Sequence, residues 1–178
     1  RGFTHLIVIN EDNRKLNGLL LIHLPNGPTA LFKLSSIVLS KQLRGHASMS
    51  KHTPELMLNN FNTRLGHTVG RLLGSLFPYR PDFHGRRIIT LHNQRDFIFF
   101  RQHRYVFESA EEARLQEMGP QFTLKLRSLQ HGTFDTKFGE FEFVHKSENN
   151  PTPGASLFSK LPCPPKIMFI KSSGRISG

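Results

Sequence analysis

Hydrophobic and polar positions recur along this chain with two periods, and each period predicts a different element. Thr4-His-Leu-Ile-Val-Ile9 is a short apolar, β-rich run of the kind found in a central strand. Residues 11–18 are polar and close on Asn-Gly, a turn signal. Leu19-Leu-Leu-Ile-His-Leu24 predicts a second strand, ended by Pro25-Asn-Gly-Pro28. Residues 29–39 alternate well enough for a third strand. Residues 41–54 have little periodicity and read as an exposed loop.

The period then lengthens. Residues 63–77 carry Leu65, Val69, Leu72, Leu73, Leu76 and Phe77 at helical spacing, a single apolar stripe. Asn62 or Thr63 can cap its start, and Pro78 stops it. Arg64, His67 and Arg71 fall on nearly the opposite face. Gly66, Gly70 and Gly74 lie four apart along one edge. Each costs about 1 kcal/mol against Ala in a helix interior, so three predict close packing against another backbone. Arg64 and Arg71 on so short a helix speak against a membrane dimer face.

After Pro81 the period returns to two. Residues 86–92 predict a strand, 93–96 a tight connection and 97–101 another strand, which 105–108 continue or follow. Residues 109–119 are polar and predict a short helix or loop. Residues 121–127 alternate, with Phe122, Leu124 and Leu126 on one face and Thr123, Lys125 and Arg127 on the other. Residues 138–144 alternate again through Phe141 and Phe143. From Glu148 onward Pro, Ser and Lys dominate. That tail predicts disorder, with 166–171 a stray strand, and no internal repeat stands out.

Composition changes this picture mainly through charge. The 178 residues suffice for one ordinary domain or two very small ones, and 37% are hydrophobic, so a core is feasible. Sixteen Phe against two Tyr and no Trp make Phe the main aromatic of that core. The net charge of +11 and pI near 10.4 point to a polyanion partner. A membrane surface fits less well, because no long basic amphipathic helix with a bulky apolar face is present. No apolar run reaches the roughly 18 residues of a membrane span, and no secretory signal is visible. The single Cys163 excludes an intrachain disulfide and a Cys-based zinc site, and fits a reducing compartment. Because a strand-like run follows Arg1 at once, the chain reads as beginning inside a larger domain.

The densest chemistry lies between residues 64 and 104. Eight arginines stand there without a lysine: Arg64, Arg71, Arg80, Arg86, Arg87, Arg95, Arg101 and Arg104. Only Asp82 and Asp96 oppose them, so the stretch carries +6. Arginine forks onto phosphate oxygens and stacks on bases. His67, His84, His92 and His103 add donors, and Phe97, Phe99, Phe100 and Tyr105 supply flat faces. Arginine beside aromatics suits single-stranded or irregular RNA. Strand alternation sends half of those aromatics inward, so most Phe read as core. The candidate RNA-binding set is Arg64, Arg71, Arg86, Arg87, Arg95, Arg101, His103, Arg104, Lys125 and Arg127. Arg95 and Asp96 have a plainer reading as a pair capping the turn.

Catalytic readings are weaker. His92, Asp96 and His103 are the residue types of an acid/base set, but polar residues flanking a hairpin are by far the better account of them. Acidic residues are too few and scattered for a two-metal nuclease, and no Gly-rich phosphate loop is present. Cys163 sits in a Pro-rich stretch, away from any base. The expectation is a protein without catalysis, cofactor, metal or small-molecule substrate.

Several runs carry a resemblance. Pro54-Glu-Leu-Met-Leu-Asn-Asn-Phe61, Thr63-Arg-Leu-Gly-His67, Gly85-Arg-Arg-Ile-Ile-Thr-Leu-His-Asn-Gln-Arg-Asp-Phe-Ile-Phe-Phe-Arg101 and His103-Arg-Tyr105 resemble the Brix family. Gly119-Pro-Gln-Phe-Thr-Leu-Lys-Leu-Arg127 is similar to that family's sigma-factor-like motif, with Gln121 where Arg is usual. Phe141 and Phe143 stand where Tyr and Trp are more usual, and the basic run expected after Lys146 is replaced by Pro- and Ser-rich sequence. Leu24-Pro-Asn-Gly-Pro-Thr-Ala30 and Leu129-Gln-His-Gly-Thr-Phe-Asp135 resemble the large-subunit branch.

The resemblance implies an α/β fold of two similar α/β halves, each like the anticodon-binding domain of some aminoacyl-tRNA synthetases. Residues 1–147 would be part of that domain with the first half incomplete, and residues 148–178 a divergent tail. It implies a nuclear, nucleolar protein without catalysis that binds pre-ribosomal RNA in large-subunit maturation and rRNA processing. Its partners would be pre-ribosome assembly proteins, including a dedicated nuclear one. Two rivals stand beside this reading: a protein-interaction scaffold whose Phe-rich hairpin docks a partner, and an RNA-processing enzyme.

Overall fold

The first apolar run becomes strand β1 (His5–Asp12) in a computed structural model of the chain, which describes residues 2–133, 139–145 and 166–170. The chain divides into two compact units, one of residues 1–35 and 125–178, the other of residues 36–124.

In the first unit β1 pairs antiparallel with β2 (Lys15–His23), and β2 with β3 (Thr29–Val38). The β1–β2 turn is tighter than the polar run 11–18 suggests. Asn13 and Arg14 both take left-handed backbone, at φ 49° and 61°, and this two-residue turn matches the twist of the flanking strands. The Asn17-Gly18 pair, a turn signal in the sequence, lies inside β2 opposite a bulge between Asn10 and Glu11. There the Asn10 side-chain amide donates to Asn17 Oδ1 at 2.8 Å.

On the other side of β1 runs β10 (Lys166–Ile170), also antiparallel, so the strand expected at 166–171 is a paired one. The rest of the predicted tail, with Cys163 and Phe138, lies outside the described residues. Leu21, Ala30, Phe32 and Leu129 are buried in this unit. Gly27 (φ +87°) lies so close to Gly132 that a Cβ would overlap the Gly132 backbone, and the Thr29 hydroxyl donates to Gly132 O nearby.

The second unit is built on a strand–helix–strand crossover. β4 (Glu55–Asn59) runs parallel to β5 (Arg87–Gln94), and α1 (Arg64–Gly74) joins them. β4 is short and carries no alternation strong enough to be foreseen. Thr63 caps α1 by accepting from Gly66 N at 2.9 Å. The helix ends at Gly74, before the predicted 77. Ser75 turns its hydroxyl back to Leu72 O, and Leu76 and Phe77 continue only as tight turns before Pro78.

The three helix glycines do different things. A Cβ on Gly66 would meet the Phe61 backbone at 3.2 Å, the close backbone approach expected of all three. Gly70 and Gly74 instead pack on the side chains of Phe61, Leu58 and Leu56 at ordinary contact distance.

β6 (Phe97–Phe107) returns antiparallel to β5 through a left-handed pair, Arg95 and Asp96, at φ 50° and 63°. It is one continuous strand rather than two. β7 (Ala113–Glu117) then pairs antiparallel with β6, so part of the polar stretch 109–119 is a strand, not a helix or loop. Its sequence, Ala-Arg-Leu-Gln-Glu, lacks the alternation that would reveal it. β8 (Gln121–Gln130) follows, with its first residues in this unit and its last in the other, where β9 (Phe141–Val144) pairs with it. Neighbouring Thr123 and Leu124 are both buried, so the polar face expected of 121–127 is not free there.

The result is the expected mixed α/β chain, with a single α-helix, in the second unit, among the described residues. No described helix is long and apolar enough to cross a membrane.

Two substitutions test the local geometry. Thr63→Ala should cost about 1 kcal/mol through the lost cap. Gly27→Ala should cost more, at least about 2 kcal/mol, because a left-handed backbone cost adds to displacement of the Gly132 segment. Urea unfolding followed by circular dichroism would rank the two.

Candidate nucleic-acid interface

The β5–β6 ladder sorts the basic and aromatic residues by face. Directly opposed residues share a face, and the register pairs Ile89 with Gln102, Leu91 with Phe100 and Asn93 with Ile98. This inner face continues onto β4 at Leu56 and Leu58, where α1 packs through Gly74 and Gly70. Ile89, Leu91, Ile98 and Gln102 are buried on it, and Phe100 stacks flat on Phe122 at 4.4 Å.

The outer face carries the complementary set. Ile88 opposes His103, Thr90 opposes Arg101, His92 opposes Phe99 and Gln94 opposes Phe97, with Met57 and Glu55 beside them on β4. Phe97 and Met57 are exposed, and Phe99, Arg101, His103 and Tyr105 are half-buried. The Arg101 guanidinium lies 5.9 Å from the centre of the Phe99 ring and donates to Phe100 O at 2.8 Å. A guanidinium held beside an aromatic ring is of the kind that can meet a base or a phosphate.

The predicted residues do not form one surface. Arg101 and His103 lie together on the outer face, and Arg95 stands exposed at the turn that ends it. Arg86 is exposed just before β5, close enough to Tyr105 for its charge to be felt there. Arg104 opposes Arg87 at the end of the inner face. Arg64 and Arg71 are exposed on α1, on the other side of the sheet from Arg101. Lys125 and Arg127, both half-buried, belong to the first unit.

Arg87 has an internal job. Its Nη1 donates to Ser50 O at 2.6 Å and His52 O at 3.1 Å. With the Gln102 amide turned oxygen-first toward it, Arg87 also donates from Nε at 3.0 Å. Burial pulls this guanidinium below its ordinary value. Arg87, one of the predicted RNA-binding residues, therefore straps residues 50–52 to the sheet.

His92, Asp96 and His103 are not brought together. His92 and His103 oppose Phe99 and Ile88, four residues apart along β5, a separation of about 13 Å at the strand rise. No group of three or more His, Cys, Asp or Glu with metal-holding geometry occurs among the described residues.

Sequence reasoning missed two contributors. Tyr105 reads from the sequence as a flat aromatic face, but its hydroxyl donates to Glu55 Oε1 at 2.5 Å, tying β6 to β4 across β5. This bond, with some desolvation, raises the phenol above its ordinary value. The second is a groove of ≈ 590 Å³ between β4 and α1, lined by Leu56, Leu58, His67, Arg71, Phe77 and Tyr79. No local pattern announces it, because its walls come from separate elements, β4, α1 and the turns after α1. At the loop below, His52 and Asp82 pair, and this hydrogen bond holds the Asp82 carboxyl below the usual range.

Arg87→Met should lower stability by about 1–3 kcal/mol, since the Ser50 and His52 carbonyls lose their donor; denaturant titration measures this. In a Tyr79→Phe background the absorbance titration reports Tyr105 alone. It should titrate above 10.0, and Glu55→Gln should bring it down. The bond's contribution to stability is present below the ordinary phenol value and is lost as pH rises through the raised one.

Comparison with known proteins places this geometry in a family. The Brix domain model matches residues 1–128. Ribosome production factor 1 of Mus musculus is 59% identical over 153 residues, covering 85% of this chain and 44% of that protein. The Saccharomyces cerevisiae ribosome production factor 1 is 58% identical over 148 residues, covering 83% of this chain and 49% of that protein. The probable ribosome production factor 1 of Drosophila melanogaster is 59% identical over 144 residues, 80% of this chain and 36% of the relative. The chain thus spans about half or less of the length of these relatives. With most of its residues inside the domain match and well over half identical to these relatives where aligned, the chain belongs to the Brix domain family.

Proposed function

We propose that this chain is the RNA-binding part of a non-catalytic ribosome assembly factor acting on large-subunit pre-rRNA in the nucleolus. The observation that carries the reading is the outer face of β5–β6. There Phe99, Arg101, His103 and His92 combine flat rings with cationic donors on a rigid sheet. Sheet aromatics of this kind stack splayed bases, while arginine and histidine hold the phosphates. The names carried by the relatives support the process, and the net charge of +11 supports a polyanion partner.

Within this reading Arg101 and His103 are the central contacts. Arg95 and Arg86 extend them at the two ends of the hairpin. Arg64 and Arg71 on α1, Arg104 at the inner-face end, and Lys125 and Arg127 on β8 serve separate phosphate contacts on a folded RNA. Pre-ribosome assembly proteins, among them a dedicated nuclear partner, complete the set of partners.

The test is equilibrium binding of the chain to a structured pre-rRNA fragment over a salt series. Replacing Arg95, Arg101 and Arg104 together with Ala should weaken binding and flatten the salt slope by about one unit for each lost phosphate contact. Phe99→Ala should weaken binding by about 1–3 kcal/mol through lost stacking, with little change in slope. An unchanged slope in the triple variant would sink the proposal. So would cleavage of that RNA by the chain, abolished by His103→Ala, because it would make the protein an enzyme.

A further inference from the structure

The end of the β6–β7 hairpin differs in chemistry from the rest of the second unit. Residues 105–117 contain four glutamates, Glu108, Glu111, Glu112 and Glu117, against the single Arg114, a net −3 in a chain of net +11. Glu108, Glu111 and Glu112 are exposed at or beside the turn, and Arg114 already pairs with Glu108 at 2.7 Å. A phosphate backbone is repelled here.

The same hairpin exposes large apolar groups. Register places Tyr105 opposite Leu115 and Phe107 opposite Ala113, all on the outer face. Phe107 is 64% exposed and Leu115 63% exposed, while Tyr105 meets Phe107 edge-on at 5.4 Å. Val106 is exposed on the opposite face.

Among the described residues β7 has β6 on one side and no strand on the other. Glu117 O accepts from Ala47 N at 3.0 Å on that outer side. Alternation along an antiparallel strand then turns the backbone groups of Ala113 and Leu115 outward as well. An apolar strand edge of this kind is a template for one more strand.

We infer that β7 docks an extended, basic segment of a protein partner, which adds as a short strand beside residues 113–115, ending where residues 45–47 already meet Gln116 and Glu117. Its apolar side chains would cover Phe107 and Leu115, and its lysines or arginines would meet Glu108, Glu111 and Glu112. The outer face is then divided: RNA at the Phe99–His103 end, protein at the Tyr105–Leu115 end. This goes beyond the RNA reading and stands on different residues.

The probe is a labelled, acetylated twelve-residue peptide of alternating Lys and Val, titrated by anisotropy into the 178-residue chain, with a Glu-Val peptide as control. The Lys-Val peptide should bind saturably and the Glu-Val peptide at least about tenfold more weakly. Glu111→Lys with Glu112→Lys should weaken the Lys-Val peptide about tenfold. Leu115→Asn, which removes the apolar contact, should do so too. Ala113→Pro removes an outward N–H without touching the β6 pairing, and should also weaken it. In each variant, thermal melting and affinity for the pre-rRNA fragment should stay at or above those of the parent.

Three results would overturn the inference. One is absence of saturable peptide binding. Another is peptide affinity unchanged by Ala113→Pro and Leu115→Asn. The third is self-association of the parent, seen by sedimentation and lost in the Leu115 variant, which would assign the edge to a second copy. Loss of RNA binding on Phe99→Ala with peptide binding intact would show the two sites failing separately.

Discussion

Everything on the second unit's surface depends on one constraint, the pairing of β4, β5 and β6 in a fixed register beneath a helix that covers a single face. Because opposed residues must share a face, the choice of Leu91 opposite Phe100 and Ile89 opposite Gln102 for the core commits His92, Phe99, Thr90 and Arg101 to the other side. A slip of β6 by one residue would turn Arg101 inward and Phe100 outward. The cost of burying an unpaired guanidinium, together with the lost apolar burial, makes that alternative unfavourable. The hydrophobic core and the candidate RNA surface are thus two consequences of the same ladder.

The register is held by contacts that cross the sheet rather than run along it. Tyr105 bonds Glu55 from β6 to β4, and Arg87 straps residues 50–52 against the inner end of β5. Gly66 lets α1 approach the Phe61 backbone, which draws the helix onto β4. Of these, only Arg87 is one of the arginines of the basic stretch, and its hydrogen bonds set it apart from its exposed neighbour in the same dipeptide. Arg86, one residue earlier, is exposed at a left-handed backbone position.

Charge is also distributed by purpose. The basic stretch from residue 64 to 104 and the acidic hairpin end from 105 to 117 adjoin in sequence and share β6, so one strand passes from a cationic to an anionic and apolar environment. On the readings proposed above, such segregation would steer RNA and a basic protein segment to different ends.

Much of this was legible in the residues, because local patterns obey local physics. The apolar runs of β1, β2 and β3, the Thr63-capped helix and the β5–β6 hairpin follow from periodicity and turn chemistry alone, and the arginine count pointed to a polyanion. The motifs around residues 54–67, 85–105 and 119–127 were long enough to indicate the family. What the sequence left open is what neighbours decide. β4 is five residues with an apolar centre that does not alternate, β7 is short and mostly polar, and each becomes a strand through its pairing with β5 or β6. Arg87 and Arg101 are the same residue type fourteen positions apart. One straps a loop and the other lies beside a ring because the tertiary fold brings the carbonyls of Ser50 and His52 to the first, and the Phe99 ring with its neighbouring Phe100 carbonyl to the second.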